Sequence, residues 1–170
     1  MQLERLYGTD GQQNSRESLV VNKNAIVGLA EEYIRLLGLN PIEIFSNTGN
    51  SEFWDPEYLD KSGINSGMAV MDSLRCLVDF ERTYSLLAGI QKTVDSMKKE
   101  GRLNIVGIDA GTGSGILAMG LVAAGCSRVY ALEINPATVN LSRKFIEKCG
   151  FSDKIEVIEC DATKTDIAGI

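Results

Sequence analysis

The chain has no histidine among its 170 residues. Zinc sites built on imidazole, and the Ser-His-Asp and Cys-His forms of nucleophilic catalysis, are therefore excluded for this chain. Its four cysteines, Cys76, Cys126, Cys149 and Cys160, form no CxxC pair, and three of them fall in apolar or periodic stretches. They read as buried, reduced thiols rather than as disulfides or metal ligands. No apolar run approaches the roughly 18 residues that a membrane-spanning helix requires, and the first residues, Met1-Gln-Leu-Glu-Arg-Leu-Tyr7, are charged where a signal segment would be apolar. The expectation is a cytoplasmic protein with no membrane partner. Basic charge is also short: 17 Lys and Arg against 23 Asp and Glu leave a net charge of -6, which argues against a broad basic face for nucleic acid.

What is present is an ordinary globular composition, 44% hydrophobic and 24% charged, in a chain long enough for one domain with a core. Three zones follow one another. Residues 1–65 form an N-terminal extension. Within it Asn24 to Gly38 has a helical pattern with Ile26, Ala30, Tyr33, Ile34 and Leu37 on one face, and a short strand is expected at Ile42-Glu-Ile-Phe45. The polar stretch Ser46 to Ser66 embeds Phe53, Trp54 and Tyr58, and reads either as a surface connection with hydrophobic anchors or as a lid. Residues 66–100 form a helical cap, one helix or two in succession, with apolar residues at 70, 74, 77, 84, 87, 90, 94 and 97.

Residues 101–170 change rhythm. Strands are expected at 104–109, 128–133 and 154–160, separated by helices from Ser114 to Ala124 and from Pro136 to a stop at Gly150, with Asn135 as cap of the second. Strand, helix, strand, helix, strand is half of an α/β, Rossmann-like, doubly wound parallel sheet. In such a sheet ligands bind beyond the carboxyl ends of the strands, where Asp109, Glu133 and Asp161 converge.

The first strand runs into Gly107-Ile-Asp-Ala-Gly-Thr-Gly-Ser-Gly-Ile-Leu-Ala118. No Gly-Lys-Ser or Gly-Lys-Thr follows, so this is not a Walker phosphate loop. Gly113-Ser-Gly-Ile-Leu-Ala118 satisfies a dinucleotide fingerprint, and an NAD-dependent oxidoreductase is the alternative reading. Asp109 separates the two. A pyrophosphate beside that carboxylate would be repelled, whereas a ligand with ammonium and sulfonium centres would be attracted. S-adenosylmethionine is such a ligand, with Glu133 placed for its ribose hydroxyls and Asp161 for its adenine amino group. Acids at three successive strand ends beside a glycine loop outweigh the reading of each as a solvated loop residue.

The residues from 104 to 163 resemble class I S-adenosylmethionine-dependent methyltransferases. Ile108 to Gly115 matches their first motif, Ala131-Leu-Glu133 the second and Cys160-Asp-Ala162 the third. Asp79-Phe-Glu-Arg-Thr83 and Ala124-Gly-Cys-Ser-Arg-Val-Tyr-Ala-Leu-Glu133 are similar to protein arginine methyltransferases in particular, and that likeness covers about residues 67–165. It implies that Arg82 pairs with the cofactor's carboxylate, that backbone around Gly111 and Gly113 lines its methionyl part, and that Asp109 lies near its amino group. Glu133 would bind ribose, and Asp161 with the Ala162 amide would bind adenine. The alternative for Arg82 is an exposed helix-face arginine paired with Asp79 or a neighbouring acid.

The cofactor-binding set is then Arg82, Asp109, Ala110, Gly111, Thr112, Gly113, Gly115, Glu133, Ile134, Asp161 and Ala162. No catalytic residue and no metal ligand is assigned. The superfamily's sheet normally has seven strands and three are expected here, so the chain reads as an N-terminal piece, its sheet completed by a missing C-terminal half or a partner chain. The methyl acceptor is unidentified, with protein or a small molecule favoured over nucleic acid. A non-catalytic, cofactor-binding fragment is the remaining alternative.

Overall fold

The computed structural model describes residues 6–9, 19–50, 53 and 68–166. In chain order the elements are β1 (Tyr7–Thr9), β2 (Leu19–Val21), α1 (Lys23–Leu36), α2 (Pro41–Asn47), α3 (Val70–Val78), α4 (Phe80–Lys99), β3 (Val106–Ala110), α5 (Ile116–Ala124), β4 (Arg128–Glu133), α6 (Pro136–Lys148) and β5 (Ile155–Glu159). β1 and β2 pair antiparallel, an element the sequence pattern did not suggest.

The helix expected from Asn24 is α1. It starts one residue earlier, because the Asn22 side chain accepts from the amides of Asn24 and Ala25 and so satisfies its first turn. Its buried face is Ile26, Leu29, Ala30, Tyr33 and Ile34. The strand expected at Ile42–Phe45 is instead helix α2. Alternation of Ile, Glu, Ile and Phe mimics a strand, but Asn40 Oδ1 accepts from the Ile42 amide at 3.0 Å and Pro41 occupies the first turn, so local capping overrides the pattern. No residue of α2 is buried. Of the expected polar loop, residues 46–50 and Phe53 are described, and Trp54, Tyr58 and the lid reading lie outside the described residues.

The helical zone is two helices. They are divided at Asp79, whose ψ of 80° leaves helical geometry while its side chain accepts from the Arg82 amide at 3.2 Å and caps α4. Fully buried Thr83 reaches back to the Cys76 carbonyl at 3.0 Å, which fixes α4 against the end of α3.

β3, β4 and β5 form a parallel sheet in that order, the α/β arrangement expected, with α5 and α6 as its crossovers. β4 lies between its neighbours and buries Val129, Ala131 and Leu132 completely. One continuous core joins Leu6 and Val21 through α1, α3 and α4 to Val157 on β5, with α4 lying along α5 and α1 against α3, α4 and α6. The N-terminal helices thus share their core with the sheet, a juxtaposition that the zone boundaries do not convey. Among the described residues, no helix is long and apolar enough to cross a membrane. All four cysteines are free, with Cys126 and Cys149 buried and Cys76 and Cys160 partly so.

α5 begins at Ile116, two residues later than expected, because Gly115 at φ +84° still belongs to the loop. A Cβ there would be strained and would lie 2.9 Å from Cδ1 of buried Ile146. Gly28, inside α1, has open space around the same position. Gly115→Ala should therefore lower unfolding stability by about 1–2 kcal/mol from the left-handed backbone alone, while Gly28→Ala should raise it by about 0.5–1 kcal/mol through helix propensity. Urea unfolding of the two variants checks both signs.

Candidate functional site

The loop after β3 is fastened to the end of β4: the Gly111 and Thr112 amides both donate to the Leu132 carbonyl, at 2.8 and 2.9 Å. The next residue, Glu133, is 4% exposed and accepts three backbone hydrogen bonds. Its Oε2 takes the Gly113 amide at 3.1 Å, and its Oε1 takes the amides of Ile134 at 2.9 Å and Asn135 at 3.0 Å. The Glu133 carbonyl in turn accepts from the Cys160 amide at 2.9 Å, which holds the end of β5 alongside. One residue ties together the glycine loop, the start of α6 and the exit of β5. An ionised carboxylate offers about four acceptor positions, so after these three amides capacity remains for a ligand donor.

Asp109 works differently. Its Oδ2 accepts from the Thr112 hydroxyl at 2.7 Å and from the Ala118 amide, in the first turn of α5, at 3.1 Å. Burial pushes its carboxyl upward, the bonds from Thr112 and Ala118 oppose that, and the nearby charge of Glu133 adds to it. The carboxylate braces the loop against the helix that follows it. At the third strand end, Asp161 Oδ2 pairs with Lys164 Nζ at 2.8 Å, and its Oδ1 accepts from the Thr163 amide and hydroxyl at 3.0 and 2.6 Å. These bonds, that from Lys164 foremost, hold its carboxyl down at about 2.

A cavity of about 310 Å³ opens among these strand ends, lined among the described residues by Met68, Ala110, Gly111, Leu132, Glu133, Ile134, Cys160, Asp161, Ala162 and Thr163. Six of the expected site residues, Ala110, Gly111, Glu133, Ile134, Asp161 and Ala162, are brought together here. Asp109, Thr112, Gly113 and Gly115 are placed in and under the loop rather than on the cavity wall. Arg82 is exposed in the first turn of α4, and its guanidinium makes no ion pair with Asp79 or any other acid among the described residues. Sequence reasoning missed Met68, Leu132, Cys160 and Thr163. Leu132, Cys160 and Thr163 adjoin predicted residues, so widening each motif by one position would have found them; Met68 left no signal. No cluster of metal-ligating side chains occurs among the described residues.

Behind the loop lies a contact between distant segments. Tyr33 of α1 is fully buried, its hydroxyl 2.6 Å from Ser73 Oγ of α3 and its ring edge-on to Phe145 of α6 at 5.1 Å. Ser73 presses on the loop, since a Cβ on Gly113 would lie 3.3 Å from its own. Burial, with a contribution from the Glu133 charge, pushes the Tyr33 phenol up to about 12, against the bond to Ser73.

The cavity wall is mostly apolar, and both of its charged groups are carboxylates. Those carboxylates accept hydrogen bonds from hydroxyl and amine groups and repel phosphate. The family model described as ribosomal protein L11 methyltransferase (PrmA) matches residues 88–169. Over 91 residues the chain is 37% identical to protein arginine N-methyltransferase 7 of Cricetulus longicaudatus and 34% identical to that of Drosophila melanogaster, each match covering 54% of this chain and 13% of the relative. A solved structure of PRMT6 is 25% identical, with a TM-score of 0.48 over 59% of this chain and 28% of that one. Residues 88–169 are thus similar in sequence to methyltransferases, arginine methyltransferases among them, and their sheet is α/β and Rossmann-like. The chain spans about 13% of the length of the curated relatives it matches.

In this fold the loop, Glu133 and the N-terminal helices meet at Tyr33 and Ser73. Folding keeps the Tyr33 phenol protonated, so its contribution is fully present below the ordinary pKa of 10.0 and is lost as pH rises through about 12. The loss amounts to about 3 kcal/mol at most, from the size of the shift. Urea unfolding across that range should show a steeper decline for the parent protein than for Tyr33→Phe, and parallel declines would contradict the assignment.

Proposed function

We propose that this chain is the cofactor-binding part of an S-adenosylmethionine-dependent methyltransferase whose acceptor is a protein arginine. The observation that carries the first half of this reading is Glu133: a buried carboxylate at the end of β4, aligned by backbone amides and opening onto the cavity. The similarity of the surrounding 91 residues to arginine methyltransferases supports the second half.

The residues present fit that cofactor. The spare acceptor capacity of Glu133 suits a ribose hydroxyl, Asp161 and the Ala162 amide suit the edge of an adenine, and the apolar side chain of Ile134 suits its face. Ala110 and Gly111 leave room for the methionyl portion, since a Cβ on Gly111 would meet nothing within 4 Å. Arg82, exposed and without an ion partner among the described residues, is available to a carboxylate with its two parallel donors. Asp109 contributes negative charge under the loop, close to where an ammonium and a sulfonium would lie. Bound S-adenosylmethionine would supply an already activated methyl group. The chain's own task is then to bind, to orient and to exclude water.

Calorimetric titration tests the reading directly. S-adenosylmethionine and S-adenosylhomocysteine should bind and NAD should not, and tight binding of NAD alone would replace this reading with the oxidoreductase one. Glu133→Gln, which keeps one acceptor oxygen but removes the charge, should weaken S-adenosylhomocysteine by about 1.5–3 kcal/mol, as expected for hydrogen bonds to a charged group. Transfer of labelled methyl from S-adenosylmethionine to an arginine-containing peptide, against the same peptide with lysine in its place, tests the acceptor. Transfer to both or to the lysine peptide alone would contradict it.

A further inference from the structure

Besides accepting the Val139 amide at its carbonyl, Asn135 makes three hydrogen bonds beside cavity-lining Ile134. Its amide donates to Glu133 Oε1 at 3.0 Å, its Oδ1 accepts from the Ala137 amide at 3.0 Å and caps α6, and its Nδ2 donates to the Met68 carbonyl at 2.9 Å. The first two are local and explain its helix-starting position. The third is not explained by capping, since it reaches back 67 residues to the chain just before α3.

Met68 is a cavity-lining residue and is 46% exposed, so a ligand in the cavity has apolar surface there to cover. The Met68 carbonyl is held by Asn135, and the next residue, Ala69, is 7% exposed and immediately precedes α3. The backbone of Met68 is thereby fixed on its C-terminal side. Ile134, also exposed at 36%, lines the same cavity beside Asn135. Asn135 thus stands between two exposed apolar side chains of the cavity, one adjacent in sequence and one reached only through its Nδ2.

We propose that Asn135 is a positioning residue: by fastening the Met68 carbonyl it keeps the Met68 side chain over the cavity, and this contact slows departure of the bound cofactor. The proposal rests on the reading of the cavity as the S-adenosylmethionine site. A ligand there would bury both Met68 and Ile134, so the bond from Asn135 stabilises the occupied state through apolar contact that it does not itself make. Because Asn135 also donates to Glu133, the ribose-binding carboxylate and the covering methionine are fixed by the same residue.

The test is surface plasmon resonance of S-adenosylhomocysteine on the parent chain, Asn135→Ser, Met68→Ala and the double variant, with thermal midpoints measured alongside. Serine still caps α6 but is too short to reach Met68. Asn135→Ser should raise the dissociation rate about 3- to 10-fold, the size of one net hydrogen bond, with association nearly unchanged. Met68→Ala should do likewise, and in the Asn135→Ser background it should add much less than it does alone. If the parent chain does not bind S-adenosylhomocysteine, the cofactor reading falls and this inference with it. If the parent binds and Asn135→Ser leaves the dissociation rate unchanged, the fastening role is overturned while the cofactor reading stands. If Asn135→Ser lowers the thermal midpoint, Met68→Ala decides, because it removes neither a cap nor a donor; an unchanged dissociation rate there overturns the proposal.

Discussion

The site depends on one buried carboxylate holding three backbone amides. Glu133 is nearly inaccessible, and a charge in such a position is tolerated only when hydrogen bonds compensate its burial. The amides of Gly113, Ile134 and Asn135 supply those bonds, and in doing so they set the height of the glycine loop over the sheet and the direction in which α6 departs. Hydrogen bonds between a charged acceptor and an amide are about twice as strong as neutral ones, so these three bonds hold the loop firmly. The requirement runs both ways: the loop needs the carboxylate, and the carboxylate can remain buried only while the loop is in place.

The remaining groups near the loop arrange themselves around that charge. Asp109 is a second buried carboxylate, close enough for Glu133 to oppose its ionisation, and it is accommodated by the Thr112 hydroxyl and the Ala118 amide. Tyr33 stays neutral, bound to Ser73 rather than to a charge. Asp161 lies in wetter surroundings, ion-paired with Lys164 and hydrogen-bonded by Thr163. Three acids at three strand ends therefore have three duties: the first braces the loop, the second organises it and faces the cavity, and the third stands at the far wall.

Much of the sheet half was legible because its signals are local. Asn135 and Pro136 announce α6, the boundaries of β4 coincide with the expected strand 128–133, and glycines 111, 113 and 115 mark the loop. The same kind of local signal misled at Ile42–Phe45, where alternation suggested a strand and the Asn40-Pro41 cap made a helix. The division of labour among the acids was not legible. Asp109, Glu133 and Asp161 look alike as residues at strand ends, and only the fold shows that Thr112 and Ala118 both donate to Oδ2 of the first. Met68 and the Tyr33–Ser73 contact were out of reach for another reason. They join segments 67 and 40 residues apart, and neither periodicity nor motif spacing encodes such meetings.

Amide hydrogen exchange read residue by residue, with and without S-adenosylhomocysteine, addresses the central role of Glu133 most directly. The amides of Gly113, Ile134 and Asn135 should be protected in the free chain, as donors to a buried carboxylate, and should slow further together when the ligand binds. Exchange of all three at the rate of open loop, unaltered by the ligand, would contradict the account.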